Sequence, residues 1–245
     1  QNYLLEFCGC RPEKRVGDFT IYKTRIDEIR DIADYYKDAT FVMLTRHGQT
    51  EGNKQGLFMG GTLDSPLTSE AEYQSRALGE NLYAASGHSI SAAYSSELGR
   101  AYFTAQNILE GMDEADLPIT KLSGLNDICW GDIEGKTKKE VKELYGSTDL
   151  PVFMGTYDQP DFESPAHGEN LYQFYQRFDA AMEEIGADEN NRAKTVLVVA
   201  HSSAAEWAKI KFKKDLDGLY HNGVSVLRYK DGDWTIISWN DMSFQ

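Results

Sequence analysis

Residues 41–53 read FVMLTRHGQTEGN, an apolar run followed by a polar segment in which an arginine precedes a histidine and a glycine. The apolar run predicts a buried strand, and the glycine-bearing segment predicts a turn at its end. In α/β proteins, functional side chains gather where parallel strands end and helices begin. Arg46 and His47 are therefore the first candidates for a functional site.

Length and composition indicate a globular protein with one sizeable core. The chain has 245 residues, of which 41% are hydrophobic and 12% aromatic, which are ordinary values. No apolar run approaches the ~20 residues that a membrane-spanning helix needs, so we expect no membrane association. The net charge of −14 argues against nucleic acid and acidic membrane surfaces as partners. An anionic substrate would need a local positive pocket.

Cysteine usage favours a reducing, cytoplasmic setting. Cys8, Cys10 and Cys129 are an odd number and too few for a disulfide framework in a chain of this length. No basic segment followed by a long apolar core opens the sequence, so we expect no signal peptide. Cys8 and Cys10 have no further candidate ligands nearby, so we expect no metal site there. Whether these two cysteines pair is left open.

Residues 1–40 differ from the rest and are interpreted as an N-terminal extension of a main domain at 41–245. Residues 19–24 alternate in the manner of a short strand. Apolar side chains at helical spacing then predict a helix: Ile26, Ile29, Ile32 and Ala33. A lone strand and helix cannot supply a core, so we expect the extension to dock on the main domain. Its role is left open.

After the first strand, predicted helices and strands alternate. Thr68 is placed to cap the first long helix, and the β-branched run at 195–200 predicts a strand buried on both faces. Further strands are predicted around 90–94 and 119–122, and a turn at 230–233 joins a terminal hairpin. This alternation predicts an α/β fold, a three-layer α/β/α sandwich with a mostly parallel central sheet.

Four candidate side chains follow predicted strands. Arg46 and His47 come after the first strand and His201 after the strongest one, while Arg100 begins a helix after a third. Carboxyl ends of parallel strands share one edge of a sheet, so these groups should converge. Two guanidinium groups and two imidazoles around a crevice suit a dianion such as phosphate. Neighbouring arginines disfavour a charged imidazole, so His47 can present a nucleophilic lone pair.

A phosphoryl-transfer site also needs a proton donor for the departing alkoxide, and a carboxylate in the turn at 125–135 fits that role. Two histidines and one carboxylate, here His47, His201 and Asp127, could instead hold a metal ion. The flanking arginines would repel a divalent cation, so neither a metal nor another cofactor is expected.

Two longer motifs closely resemble the signature of the histidine phosphatase (phosphoglycerate mutase-like) superfamily. They are Thr-Arg-His-Gly-Gln-Thr-x-x-Asn at 45–53 and Ser-Ser-Glu-Leu-Gly-Arg-Ala at 95–101. Shorter segments at 63–68, 130–135, 168–169 and 222–226 also resemble parts of that family. The resemblance covers about residues 41–240 and leaves residues 1–40 outside it.

The resemblance implies a role for each candidate. In histidine phosphatases the first histidine becomes phosphorylated, while two arginines and a second histidine hold the phosphate. A carboxylic acid protonates the leaving group and later activates water. By this resemblance His47 is the nucleophile, Arg46 and Arg100 bind phosphate, His201 is the second histidine, and Asp127 is the acid.

Further candidates surround these five residues. Asn53 and Ser202 are predicted to contact phosphate. Four residues are candidates for a substrate pocket: Gly48, Thr50, Glu169 and Tyr157. Glu169 could equally cap a helix or support Asp127. His221 is interpreted as a residue of a turn, and His167 as either pocket-facing or solvated.

The sequence departs from the family pattern at three places. Asp127 stands where the family most often has glutamate, so its carboxyl reaches less far. Ala200-His201-Ser202 replaces the usual Ser-His-Gly, and Ala71 replaces a common glycine. A diverged protein that binds an anionic ligand with weak or non-phosphoryl chemistry is therefore one alternative.

The preferred function is hydrolysis of a small phosphomonoester through a phosphohistidine, without a metal. The second alternative is a phosphoglycerate mutase-type phosphotransferase. Mutases that resemble this chain carry a longer basic insertion after the acid turn, whereas residues 136–164 contain a predicted helix at 139–145 and then turn acidic and aromatic. Phe153, Tyr157 and Phe162 could pack on an organic substrate. A homodimer is left open.

Overall fold

The apolar half of the 41–53 segment forms a central strand of the main sheet. The computed structural model describes residues 11–16, 19–23, 37–86 and 90–244. The strands are β1 (Arg11–Val16), β2 (Phe19–Lys23), β3 (Thr40–Arg46), β4 (Ala92–Ser95), β5 (Ile119–Lys121), β6 (Thr195–Ala200), β7 (Val224–Lys230) and β8 (Asp233–Asp241).

Six of these strands form one sheet in the order β5-β4-β6-β3-β7-β8, and β1 pairs with β2 separately. The first four strands of the sheet are mutually parallel. Strand β7 pairs antiparallel with β3, and β8 pairs antiparallel with β7 at the edge of the sheet. The turn between β7 and β8 contains Asp231 and Gly232, both at positive φ, as a tight hairpin requires. The predicted terminal hairpin is therefore confirmed.

The helices within the described residues are α1 (Glu51–Lys54), α2 (Ser69–Ser86), α3 (Gly99–Gly111), α4 (Lys138–Tyr145), α5 (Leu150–Met154), α6 (Leu171–Ala187) and α7 (Ala204–Phe212). Thr68 caps α2 as predicted, since its Oγ1 accepts from the backbone N of Ala71 at 3.1 Å. Helix α6 is capped by Asn170 rather than Glu169. None of these helices is long and apolar enough to cross a membrane.

Alternate residues of β3 and β6 contact two separate layers of helices. Val42 and Val198 belong to a core with α6 and α7. Leu197 and Val199 belong to a second core with α2 and α3, and Met43 packs against it. Successive side chains of a strand point to opposite faces, so both faces of the sheet are covered. The predicted three-layer α/β/α sandwich with a mostly parallel sheet is confirmed.

The strand register brings the ends of three strands together. Arg46 of β3 pairs with Ala200 of β6, and Ser95 of β4 pairs with Val199. The backbone N of His47 also donates to the carbonyl of Ala200 at 3.0 Å. The residues that follow β3, β4 and β6 therefore leave the sheet at the same edge.

The predicted strand at 19–24 is confirmed as β2, and the predicted helix at 139–145 as α4. The predicted helix over Ile26, Ile29, Ile32 and Ala33, and the cysteines Cys8 and Cys10, lie outside the described residues. Docking of residues 1–40 on the main domain stays a prediction.

Helices α2 and α3 cross at two glycines. A Cβ on Gly79 would lie 2.0 Å from the carbonyl oxygen of Ile108, and a Cβ on Gly111 would lie 2.0 Å from that of Arg76. Both obstacles are backbone atoms, so the helices would have to separate. Gly79→Ala should therefore lower the free energy of unfolding by about 1–3 kcal/mol, the usual cost of overpacking. Chemical denaturation would measure this loss.

Gly218→Ala is the matched control, because a Cβ there meets no atom within 4 Å and the φ of Gly218 is not positive. Equal stability of the two variants would contradict the close crossing of α2 and α3.

Candidate active site

The four residues that follow strands meet in one buried cluster with Asp127. His47, Arg100, Asp127 and His201 are only 2%, 1%, 6% and 0% exposed. The rings of His47 and His201 lie 5.1 Å apart between centroids. Arg46 is part of the same cluster, since it directly precedes His47 and its charge affects Asp127. The structure thus brings together the residues that the strand-end argument placed together.

His47 is held as a neutral imidazole with a defined tautomer. Its Nδ1 lies 2.7 Å from the carbonyl oxygen of Gly48, which can only accept, so Nδ1 carries the hydrogen. Its Nε2 lies 3.3 Å from Nε of Arg100, which can only donate, so Nε2 presents its lone pair. Burial, followed by the charges of His201, Arg100 and Arg46, keeps the pKa of His47 well below its ordinary value. His47 therefore has the form that a nucleophile needs.

Arg100 connects His47, Asp127 and a neighbouring loop. Besides His47, its guanidinium donates to the carbonyl oxygens of Leu63 (2.8 Å) and Gly60 (2.9 Å). Its Nη2 also lies 3.3 Å from Oδ2 of Asp127. The planar fork is therefore fixed on several sides at once, and its position relative to His47 cannot vary much.

Asp127 is fixed in the pocket despite its short side chain. Its Oδ1 accepts from Oγ of Ser203 at 2.6 Å and from the backbone N of Ile128 at 3.0 Å. Its Oδ2 lies 3.8 Å from Nδ1 of His201. Burial raises the pKa of Asp127, although Arg100 and Ser203 favour the charged form. A carboxyl group with a raised pKa can donate a proton nearer to neutral pH.

His201 turns one ring nitrogen to Ser96 and leaves the other without a partner. Its Nε2 lies 2.7 Å from Oγ of Ser96, and that hydroxyl already accepts from the backbone N of Leu98 at 3.2 Å. The hydroxyl can donate its proton to Nε2 of His201, and in that tautomer the ring hydrogen lies on Nδ1. Burial, then Arg100, Arg46 and Arg177, lower the pKa of His201 well below its ordinary value.

Several buried nitrogens of the site have no hydrogen-bond partner, which suits a ligand that carries acceptor oxygens. Among the side chains that the structure describes, three buried nitrogens have no hydrogen-bond partner: Nε of Arg46, Nδ1 of His201 and Nδ2 of Asn222. Asn222 joins the cluster because its backbone N donates to the carbonyl of Arg46 at 3.1 Å. Buried donors without acceptors are costly, and a phosphate group would supply several acceptor oxygens.

The interpretation of His221 as a turn residue misses its contact with the site. Its ring lies 5.5 Å from that of His47, and its Nε2 lies 3.2 Å from Oδ1 of Asn53. Burial, with a smaller effect of Arg46, lowers the pKa of His221 to about 3. Because β7 runs antiparallel to β3, the residues just before β7 lie beside the end of β3. Pairing of the terminal hairpin with β3 would have placed His221 and Asn222 here.

Ser203 is a second residue that the sequence argument missed. Ser202, the predicted phosphate contact, is exposed, whereas its neighbour Ser203 is 8% exposed and bonds Asp127. Adjacent serines at the start of α7 face different directions, so the sequence alone could not choose between them. A contact of Ser202 with phosphate stays a prediction.

Asn53, Thr50 and Gly48 shape the turn after β3. Thr50 and Asn53 form a reciprocal capping box at the start of α1, and Asn53 extends from there to His221. Gly48 is buried, and a Cβ there would lie 3.0 Å from Cβ of Ala71. The alanine at position 71 therefore packs directly against the turn that bears the nucleophile.

Glu169 and the aromatic candidates make contacts with residues other than His47. Glu169 pairs with Arg177 at 2.7 Å, so it supports the region of Asp127 rather than capping α6. Tyr157 packs against two tyrosines of α6, with ring centroids 5.6 and 4.8 Å away: Tyr172 and Tyr175. Phe153 is 1% exposed within a core cluster, so the suggestion that it packs on a substrate is wrong. His167 is exposed and pairs with Asp132 at 2.7 Å.

The guanidinium of Arg100 lies beside two of the three residues considered as metal ligands, His47 and Asp127. Arg100 lies 3.3 Å from both Nε2 of His47 and Oδ2 of Asp127. In the described part of the chain, no group of three or more His, Cys, Asp or Glu side chains is arranged to hold a metal ion. The positive field of the guanidinium favours an anion at this position.

A buried neutral histidine beside two arginines, a second histidine and a carboxyl group is an arrangement suited to phosphate groups. The chain belongs to the histidine phosphatase superfamily (branch 1), whose family model matches residues 42–242. The resemblance inferred from the sequence is thereby confirmed.

The relatives of this chain include both mutases and phosphatases. A 2,3-bisphosphoglycerate-dependent phosphoglycerate mutase from Bartonella quintana is 36% identical over 163 residues, 66% of this chain and 76% of that protein. The phosphoglycerate mutase structure from Bacillus anthracis superposes with a TM-score of 0.73 at 24% identity, over 86% and 97% of the two chains. A mycobacterial glucosyl-3-phosphoglycerate phosphatase gives 0.65 at 24%, over 83% and 99%. The two structures establish the fold.

Buried neutral histidines should make the fold sensitive to acid. The unfolded chain binds protons below about pH 6.5, whereas the folded histidines do not, so stability falls as pH falls below that value. His221→Asn removes one such group, whose folded pKa is about 3. Between pH 6 and 4 the variant should lose less unfolding free energy than wild type, by at most about 1.4 kcal/mol per pH unit. Denaturation at several pH values would measure both slopes.

The raised pKa of Asp127 has the opposite effect, because it makes the folded protein more stable as the pH falls. Wild type and variant both contain Asp127, so this contribution cancels when their stability curves are compared. Parallel stability curves for the two proteins would contradict a neutral, buried His221.

Proposed function

We propose that this protein is a phosphomonoester hydrolase that transfers the phosphoryl group of a small organic phosphate first to His47 and then to water. The observation that carries the proposal is the geometry of His47. Its Nδ1 hydrogen is held by the Gly48 carbonyl, and its Nε2 lone pair faces Arg100 in a buried cluster of donors. A neutral nitrogen in such a place is a nucleophile for phosphorus.

Substrate binding would use the donors that have no protein partner. Nε of Arg46, Nδ1 of His201 and Nδ2 of Asn222 can each donate to a phosphate oxygen. Arg100 adds positive charge beside Nε2 of His47, where the negative charge of the transferring group develops. The positive pocket that the acidic chain requires is thus formed by buried residues.

The two chemical steps use one carboxyl group in both directions. In the first step Nε2 of His47 forms a bond to phosphorus while the ester bond breaks, and protonated Asp127 gives its proton to the leaving oxygen. In the second step the Asp127 carboxylate takes a proton from water, which attacks phosphorus and releases inorganic phosphate and neutral His47. The raised pKa of Asp127 supports its protonated form in the first step.

The charge of the segment that begins in the last turn of α4 favours hydrolysis over transfer. From Glu143 to Gln176 the sequence contains no lysine or arginine, but it contains six acidic residues. A mutase has to retain a bisphosphorylated intermediate, whose second phosphate needs cations of its own. A phosphatase only has to release its products.

A phosphoglycerate mutase is the second candidate, and one observation favours it. The Bartonella quintana relative, at 36% identity, is named as such a mutase. Interconversion of 3- and 2-phosphoglycerate in the presence of 2,3-bisphosphoglycerate, followed by phosphorus NMR, would separate the two activities. Net mutase turnover faster than phosphate release would favour this candidate.

The first test is hydrolysis of an aryl phosphate in the presence of a chelator. We expect wild type to release phosphate and to form an acid-labile phosphoenzyme. His47→Ala should reduce turnover to the background rate, because it removes the only proposed nucleophile. Arg76→Lys is a suitable control, since Arg76 pairs with Glu110 on the exposed side of α2 and α3.

Folded wild-type protein that binds vanadate but hydrolyses no ester would overturn the hydrolase assignment and leave a binding protein. Turnover that persists in His47→Ala would overturn the phosphohistidine route.

The role of Asp127 gives a second test based on the leaving group. Asp127→Asn keeps the shape of the side chain but cannot donate the proton. For an alkyl phosphate, kcat/KM should fall by about 100- to 10,000-fold, the usual contribution of a general acid. For 4-nitrophenyl phosphate the fall should be much smaller, because its leaving group needs little protonation. Equal losses for both esters would show that Asp127 is not the acid.

A further inference from the structure

One side chain of α6 holds the loop that carries Asp127, residues 124–129, here called the acid loop. Arg177 donates from Nη1 to the carbonyl oxygens of Gly124 (3.0 Å) and Asn126 (2.7 Å), and from Nη2 to that of Asp127 (2.8 Å). Its Nε and Nη2 also donate to the two carboxylate oxygens of Glu169, each at 2.7 Å. All five N–H groups of the guanidinium are therefore used.

Glu169 holds the other end of the acid loop. Its backbone N donates to the carbonyl of Cys129 at 2.7 Å, and its Oε2 accepts from the backbone N of Cys129 at 3.3 Å. The loop also lies directly on α6, because a Cβ on Gly124 would come within 2.8 Å of the carbonyl oxygen of Arg177. Arg177 and Glu169 thus fix the backbone on both sides of Asp127.

Arg177 is itself fixed and only partly exposed. Its guanidinium lies over the ring of Phe174 at 5.0 Å, and the side chains of Arg177 and Glu169 are 28% and 15% exposed. A lysine could keep the charge, but it has no planar fork and cannot reach three carbonyls and a carboxylate together.

We propose that Arg177 is a positioning residue that sets the place of Asp127 for proton transfer and takes no part in phosphate binding. The role of Arg177 rests on the proposed function, in which Asp127 is the acid. The carboxyl of Asp127 is attached by a single methylene, so the position of the loop backbone decides where the proton is delivered. A displacement of about 1 Å can cost ~100-fold in rate.

The test compares Arg177→Lys with wild type on two esters. For an alkyl phosphate we expect kcat/KM to fall about 100-fold, as for a proton donor displaced by about 1 Å. For 4-nitrophenyl phosphate kcat/KM should change little, and the dissociation constant of vanadate should stay the same. Arg76→Lys should leave all three values unchanged. Equal losses on both esters, or weaker vanadate binding, would overturn the proposal in favour of a general structural role.

A double variant separates action through Asp127 from a separate effect. In the Asp127→Asn background, Arg177→Lys should cause no further loss on the alkyl ester, because the group that it positions has already been removed. A further 100-fold loss in the double variant would overturn the proposal.

Amide hydrogen exchange provides a readout that needs no turnover. Arg177→Lys should speed exchange in the acid loop, while the exchange of β3 and β6 and the melting temperature stay close to wild type. Unchanged exchange in the loop would overturn the positioning role whether or not the protein is a hydrolase. Faster loop exchange in a protein without His47-dependent turnover would overturn the hydrolase assignment, and with it the role in proton transfer, and would leave Arg177 as a residue that only fixes the acid loop.

Discussion

The site depends on the burial of one positive charge, the guanidinium of Arg100. A buried charge is stable only when its hydrogen bonds are satisfied, and removal of one partner leaves a costly unpaired group. Arg100 meets this requirement with the carbonyls of Gly60 and Leu63, the carboxyl of Asp127 and the lone pair of His47. The same contacts that satisfy the charge therefore fix the distance between His47 and Asp127.

Electrostatics inside the pocket differ in sign from those of the whole chain. The protein carries a net charge of −14, yet its pocket contains the half-buried Arg46 and the buried Arg100 beside two neutral histidines. Burial and the arginines lower the pKa values of His47 and His201, so these rings add no competing positive charge. Burial also raises the pKa of Asp127, against the opposing effect of the neighbouring arginines. The low dielectric of the pocket makes each of these effects larger than it would be in water.

Loops around the cluster hold its residues in place, and hydrogen bonds join these loops to one another. Glu134 accepts from the backbone of Thr62, Leu63 and Trp130, and it thereby joins the loop on Arg100 to the segment after Asp127. Arg177 fixes the other side of that segment to α6. The geometry of the site thus rests on backbone contacts as well as on the side chains of the motifs.

Most of the fold could be predicted, because the period of apolar residues marks strands and helices directly. The sandwich, the cap at Thr68 and the terminal hairpin all follow from local patterns. Arg46, His47, Arg100 and His201 could be grouped because parallel strands end at one edge. The position of Phe153 could not be predicted, because its short apolar run, with acidic and polar residues on both sides, can pack either on a substrate or in the core.

By itself the sequence determined the family, the central strand and the side chains that meet at its end. These properties depend on the local order and composition of residues, so the pattern along a single strand or helix is enough to predict them. The tertiary structure alone decided that His221 lies beside His47, that Ser203 rather than Ser202 holds Asp127, and that Arg177 spans the acid loop. Such contacts join segments far apart in the chain, and their geometry depends on packing between layers rather than on any local pattern.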